Sequence, residues 1–197
     1  MSPSPLPLWT AAASDATFTD PAACAARASA FERQIARRNR RERIAGVIQL
    51  PFWGGLGAFF LWQGEWLIGL SMMLIGAGVL VVFRNLARRA GNIEQRPEEA
   101  CLAHLERQYR RQYEALRSVP AWYIGPLLPG VFALFATVTA GVAESKGWIA
   151  ALEGALWPFT LTFGLFAIVI RLNIVAARAI AADLERLKAL GGSSYRP

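Results

Sequence analysis

Apolar positions along this chain are gathered into four long runs, and the charged positions lie between them. The runs cover residues 44–62, 66–83, 119–142 and 148–170. A helix of about 20 residues crosses a hydrocarbon core of ~30 Å at a rise of ~1.5 Å per residue, so each run is long enough to span a membrane. The pattern therefore predicts an all-α integral membrane protein with four transmembrane helices.

Very short linkers join these runs in pairs. Residues 63–65 separate the first two runs, and residues 144–147 separate the last two. A helix that follows so short a linker has to return antiparallel beside its neighbour. The sequence therefore predicts two antiparallel transmembrane hairpins, over 44–83 and 119–170, with no aqueous domain inside either hairpin.

The polar segments complete the predicted organisation. They are a flexible tail over 1–19, a basic helix over 20–43, a connector with an amphipathic helix over 84–118, and a C-terminal helix and tail over 171–197. The first tail is rich in Pro, Ser, Ala and Thr, a composition that buries too little apolar surface to hold a fixed structure.

The distribution of basic residues orients the predicted spans. The formal net charge is +7, and all but two of the 21 basic residues are arginine. Lys146 lies in a short linker, whereas every other basic residue lies before the first span, between the hairpins or after the fourth span. Because basic loops stay on the cytoplasmic side, we predict a multi-pass protein with both termini in the cytoplasm. The charges flank apolar spans and form no separate basic domain, which argues against nucleic-acid binding.

Each of the three polar helices carries one apolar stripe. Spacings of three and four residues place side chains on one helix face. The stripes of the first two helices form the candidate interaction face, which consists of Phe31, Ile35, Leu102, Leu105, Tyr109, Tyr113 and Leu116. Three uses of these stripes remain open: they can pack against one another, dock a protein partner or a second copy, or lie on anionic lipid.

Two basic segments resemble each other. FERQIARRN, residues 31–39, aligns with LERQYRRQY, residues 105–113, with Glu, Arg and Gln in the same order, and each segment precedes a hairpin. Two interpretations remain open. The chain is either a parallel repeat of helix plus hairpin, or the match is a chance similarity between arginine-rich segments.

Residues able to carry chemistry are sparse. The only histidine, His104, lies three residues after Cys101, and Cys24 comes near them if the two leading helices pack together. Three soft ligands fall short of the usual four of a structural zinc site, so we predict no metal. Both cysteines fall on the predicted cytoplasmic, reducing side, where a structural disulfide is not expected. With no nucleophile beside a base and no phosphate-binding glycine loop, we predict no enzyme and no cofactor.

One acidic residue, Glu153, lies inside a predicted span. A carboxylate in a membrane helix suggests ion or proton handling, but Glu153 is only about five residues, or ~7.5 Å, from the outer end of its span. A structural role, with the carboxylate reaching the interface, is the alternative interpretation. Pro126 and Pro129 are expected to bend the first third of the third span.

Two stretches resemble a known group of proteins. CLAHLERQYRRQYEALRSVPAWYIGPLLPG, residues 101–130, and AFERQIARRNRRE, residues 30–42, are similar to segments of small, uncharacterised proteobacterial membrane proteins. Some members of that group are encoded near extracytoplasmic-function sigma factors. The resemblance implies a bacterial inner-membrane location and a signalling or anti-sigma-like role, although this chain lacks the His-x3-Cys-x2-Cys pattern of zinc-type anti-sigma factors.

We therefore expect a non-catalytic inner-membrane protein. Its cytosolic helices would mediate protein interaction or self-association, in a signalling context. The alternative is a small transporter or channel subunit, for which Glu153, the bent third span and the possible repeat are the motivation.

Overall fold

A computed structural model of the 197-residue chain describes residues 21–94 and 99–193. Within these ranges the chain is helical and contains no strand. The five α-helices of the described ranges are α1 (Pro21–Trp62), α2 (Trp66–Arg89), α3 (Cys101–Arg117), α4 (Leu128–Lys146) and α5 (Trp148–Ser193). The predicted flexible tail over 1–19 lies outside the described residues.

Four helical stretches are long and apolar enough to cross a membrane. They are Ala22–Trp62, Trp66–Arg89, Pro120–Lys146 and Trp148–Ala189. These stretches cover the four predicted apolar runs except residue 119, which lies just before Pro120, so the predicted all-α class with four candidate membrane spans is confirmed. The short linkers turn at Gly64 and Gly147, whose positive φ angles of 86° and 83° favour glycine because it has no Cβ.

The apolar parts of the helices contact one another in a row. α2 packs against α1 and also against α4, and α4 packs in turn against α5. The contact between α2 and α4 is close because Gly130 lies against the backbone of Ile75, where an added Cβ would come within 2.6 Å of the Ile75 nitrogen. A small residue at such a crossing allows the two backbones to approach.

The first and last helices are much longer than a membrane span. α1 has 42 residues and α5 has 46, which correspond to about 63 Å and 69 Å of helix at the usual rise. Neither helix breaks at the predicted boundaries of 43/44 and 170/171. Each therefore continues from its apolar run into a polar bundle, which consists of residues 21–43, helix α3 and residues 171–189. We call it the basic bundle.

An irregular helix that contains Pro120 and Pro126 precedes α4, in the third of the span where the sequence predicts a bend. Residues Pro120–Ile124 form a π-helical turn and Gly125–Leu127 a 3₁₀ turn. Pro126 has no N–H to donate to the Trp122 carbonyl four residues earlier. Asn85 of α2 supplies the missing donor: the Nδ2 of Asn85 donates to the Trp122 oxygen at 3.0 Å.

A disulfide joins Cys24 of α1 to Cys101, the first residue of α3, with the two Cα atoms 6.3 Å apart. The expectation that these cysteines form no disulfide is therefore wrong. That expectation weighed only the compartment, whereas the packing of α1 near α3 brings the two side chains together. The proximity that the sequence allowed, on condition that the leading helices pack, is confirmed.

The adjacency of Cys24 and Cys101 predicts the product of mild oxidation. Copper–phenanthroline treatment of the detergent-purified chain should protect both thiols from a maleimide–polyethylene glycol tag, and reduction should expose both. Cys24→Ser, the matched control, should leave one taggable thiol before and after reduction. A disulfide-linked dimer as the main oxidation product of the wild-type chain, or two taggable thiols after oxidation, would contradict the pairing.

The hydrogen bond from Asn85 to the Trp122 carbonyl predicts a loss of stability when the Asn85 side chain is truncated. Asn85→Ala should lower the free energy of unfolding by about 1–3 kcal/mol, because the Trp122 carbonyl then lacks a donor away from water. The matched control is Asn173→Ala, since Asn173 donates only to the Val169 carbonyl of its own helix. Unfolding by sodium dodecyl sulfate in mixed micelles measures both, and an equal loss in the two variants would rule out a special role for Asn85.

Candidate functional site

The candidate interaction face lies inside the basic bundle. Ile35, Leu105, Tyr109 and Leu116 are buried, and Phe31, Leu102 and Tyr113 are half-buried. Leu105 and Tyr109 form an apolar cluster with Leu184 and Leu187 of α5. The sequence left three uses of these stripes open, and the structure shows the first of them: the stripes pack against one another within the chain.

Tyr109 lies where the three helices of the bundle meet. Its ring stacks on that of Phe31 in α1, with ring centroids 4.2 Å apart and planes 3° from parallel. Burial raises the pKa of the Tyr109 hydroxyl above its ordinary value of 10.0, with a further rise from the charge of Asp183 and an opposing effect from Arg27. Contacts from α1, α3 and α5 at this one residue show that the bundle is a single packed unit.

A row of buried polar side chains, which the sequence analysis did not single out, lies on α3. His104, Gln108 and Gln112 are each only 1% exposed. They are four residues apart, so they share one helix face. The available signal was this spacing of three polar side chains without a formal charge in a helix otherwise rich in arginine and glutamate.

The two glutamines of this row bind residues 90–94, the segment that follows α2. Gln108 accepts a hydrogen bond from the Ile93 N–H at 2.9 Å through Oε1 and donates to Asn92 Oδ1 at 3.1 Å. Gln112 donates to the Ala90 carbonyl oxygen at 3.1 Å. The segment is thereby fixed to α3 by side-chain bonds, although it has no regular structure of its own.

Helix α1 holds the same segment from another direction. Asn39 also donates to the Ala90 oxygen, at 2.8 Å, and Asn92 donates to the backbone oxygen of Glu32 at 3.3 Å. Arg38 donates to Oε1 of Gln112 at 3.0 Å, which joins the two helices directly. The Ala90 carbonyl is thus the acceptor at which α1, α2 and α3 are connected.

His104 lies between two carboxylates from different parts of the chain. Its Nε2 is 3.2 Å from Oε1 of Glu32 in α1, and its Nδ1 is 3.5 Å from Oε2 of Glu99, just before α3. The Glu99 carboxylate also binds Arg107 at 2.7 Å. This arrangement links α1 to the start of α3, close to the disulfide.

Glu153, the candidate intramembrane polar site, is exposed near the start of α5. The cleft between α4 and α5 is lined by its neighbours Ala151, Gly154 and Ala155, together with apolar residues of α4. The described side chains that line this cleft do not include that of Glu153. The structure therefore does not bring Glu153 together with the candidate interaction face or with a cavity between helices.

The hydrogen bonds of Gln108 to Asn92 and Ile93 predict that this buried side chain contributes to stability. Gln108→Ala should cost about 1–3 kcal/mol, because two part-buried hydrogen bonds are lost, one from the Ile93 N–H and one to Oδ1 of Asn92. Gln34→Ala, on an exposed position of α1, is the matched control and should stay within ~0.5 kcal/mol of the wild-type chain. Detergent-micelle unfolding curves of the two variants make the comparison, and indistinguishable curves would show that the row is not structural.

Comparisons with known proteins identify no relative, so any functional assignment rests on the geometry of this chain. The sequence matches no protein-family model, and neither the curated proteins nor the solved structures contain a significant match. Within 21–94 and 99–193, no group of three His, Cys, Asp or Glu side chains is arranged to hold a metal ion. The resemblance to proteobacterial membrane proteins stays a prediction.

Proposed function

We propose that this chain is a non-catalytic protein of the bacterial inner membrane whose basic bundle binds a protein partner in the cytoplasm. Two antiparallel hairpins would cross the membrane with both termini inside. The concentration of arginine outside the short linkers supports this orientation. In that reducing compartment the Cys24–Cys101 bond is open to reduction, and the packing of α1 and α3 keeps the two thiols adjacent.

The observation that carries the proposal is the exposed arginine surface of α1. Its members are Arg27, Arg33, Arg37, Arg40 and Arg41, all of which are exposed. None of them forms an ion pair with another residue of the described ranges. The apolar stripe of the same helix is already covered by α3 and α5, so the arginine surface is the face of α1 that remains free for a partner.

Distance from the membrane favours a protein over a lipid on the outer part of this surface, at Arg27 and Arg33. Arg40 and Arg41, in contrast, lie only about 5–6 Å beyond the apolar run, at headgroup height. For a helix near the membrane normal, Arg33 and Arg27 lie about 16 Å and 25 Å beyond the start of the apolar run at residue 44. The headgroup layer is only roughly 5–8 Å thick on each side. A soluble surface rich in Asp and Glu is the partner that these unpaired guanidinium groups fit best.

Because α1 and α5 are continuous helices, a partner bound to the basic bundle would be connected directly to the proposed membrane spans. Both helices run unbroken from the apolar runs into the basic bundle, and the bundle is packed around α3 by the contacts at Tyr109 and Ala90. A partner held on α1 is therefore held at a fixed height above the membrane. This arrangement suits an anchoring or signalling role of the kind that the resemblance implies.

The proposal predicts a specific cross-link in cells. A photo-reactive amino acid in place of Gln34, which is exposed between Arg33 and Arg37, should give an adduct with one cytoplasmic protein. The same probe in place of Leu105 tests background, because that position is buried in the bundle.

Charge reversal then tests the surface itself. Arg33→Glu with Arg37→Glu should abolish the adduct, whereas Arg178→Glu with Arg186→Glu, two exposed arginines of α5, should leave it unchanged. An adduct of twice the chain mass would assign the surface to self-association instead. No adduct above the Leu105 background would refute the proposal.

A further inference from the structure

A groove lined by five arginines lies between the end of α2 and helix α3. Arg88 and Arg89 come from the last turn of α2, and Arg107, Arg110 and Arg111 come from α3. The groove has a volume of about 540 Å³ and is open to its surroundings. It is separate from the arginine surface of α1, and its capacity to bind a ligand does not depend on the proposed protein partner.

The charges in the groove are only partly balanced. Arg107 is paired with Glu99 at 2.7 Å, and Arg110 is paired with Glu106 at 3.0 Å. Arg111 instead donates to backbone oxygens, at 2.6 Å to Arg88 and at 3.4 Å to Arg89. These carbonyl oxygens are neutral, so the positive charge of Arg111 remains uncompensated.

The two arginines of α2 add to this excess. Arg88 and Arg89 are exposed and form no ion pair within the described ranges. Glu114 is the acidic residue among the described lining. Three guanidinium groups therefore face one carboxylate, and the groove carries a local excess of about two positive charges at neutral pH.

Arg111 also removes an obstacle to anion binding. The last carbonyl groups of a helix carry partial negative charge, which repels an anion. Here the guanidinium of Arg111 covers the oxygens of Arg88 and Arg89. The end of α2 thus presents cationic side chains to the groove while its free carbonyl oxygens are occupied.

The groove lies at the height of lipid headgroups. Arg88 and Arg89 follow the end of the apolar run at residue 83 by about 8–9 Å along the helix. The headgroup layer extends roughly 5–8 Å from the hydrocarbon core, and a long arginine side chain reaches back into it. A phosphate in the adjacent leaflet is therefore within reach of the groove.

We propose that this groove binds an anion that carries two phosphate groups. Guanidinium groups recognise phosphate oxygens through paired N–H donors, and the volume is in the range that holds a small ligand. Two sources share this chemistry: the headgroup of an anionic phospholipid with two phosphates, and a soluble diphosphate. The position at headgroup height places the lipid first.

Native mass spectrometry of the intact chain in mild detergent tests the proposal. The lipid arm uses a bisphosphatidyl-glycerol lipid, with phosphatidylcholine as the neutral comparison. The soluble arm uses inorganic pyrophosphate. The variant is Arg88→Gln with Arg89→Gln, because both side chains are exposed, whereas Arg111 also holds α2 to α3. The matched control is Arg178→Gln with Arg186→Gln, and circular dichroism of each variant reports folding.

The expected result is an adduct with the two-phosphate lipid that phosphatidylcholine does not replace. Loss of two charged contacts should weaken this adduct about tenfold or more, while the α5 control binds as the wild-type chain does. Binding of pyrophosphate alone, with the same dependence on Arg88 and Arg89, would support the phosphate site and assign the soluble source. Equal binding by the folded groove variant and the wild-type chain, or no binding of either probe, would overturn the proposal.

Discussion

In the four stretches that are apolar enough to cross a membrane, every backbone N–H and carbonyl has to find a partner in the protein itself, and this constraint governs the fold. It explains why the apolar runs are helices. It also explains why each carbonyl left unpaired by a proline of the third run needs another donor. At Pro126 the freed carbonyl of Trp122 receives Asn85 from α2. At Pro129 the freed carbonyl of Gly125 receives the N–H of Leu128, which tightens the helix into a 3₁₀ turn.

The same constraint organises the end of α2, where the helix leaves its last carbonyl groups without partners. Arg111 covers the oxygens of Arg88 and Arg89, while Asn39 and Gln112 both donate to that of Ala90. The donors belong to α1 and α3. The basic bundle is therefore joined to the apolar helices through the hydrogen bonds that complete α2, in addition to the continuity of α1 and α5.

Much of the fold could be predicted because long apolar runs and stripes of three-and-four spacing are local patterns. The irregular turns around Pro126 and the packing of Tyr109 lie where such patterns placed a proline in a span and an apolar stripe on a helix. The hydrogen-bond partners of Gln108 and Gln112 could not be predicted, because they lie in a segment without periodicity. The Cys24–Cys101 pair was missed for another reason: the compartment argued against a bond that helix packing brings about. Glu153 is an isolated acidic residue, and its sequence position carried no information on what surrounds it.

The two arginine-rich surfaces differ in their distance along the helices from the apolar runs, and the ligands proposed for them differ for that reason. Arg33 lies about 16 Å of helix from the apolar run of α1, whereas Arg88 lies about 8 Å from that of α2. The helices that carry the two surfaces are joined at Ala90, since Asn39 of α1 and Gln112 of α3 donate to the same carbonyl oxygen. The proposed anion at Arg88 and the proposed partner at Arg33 would therefore contact helices that share one acceptor.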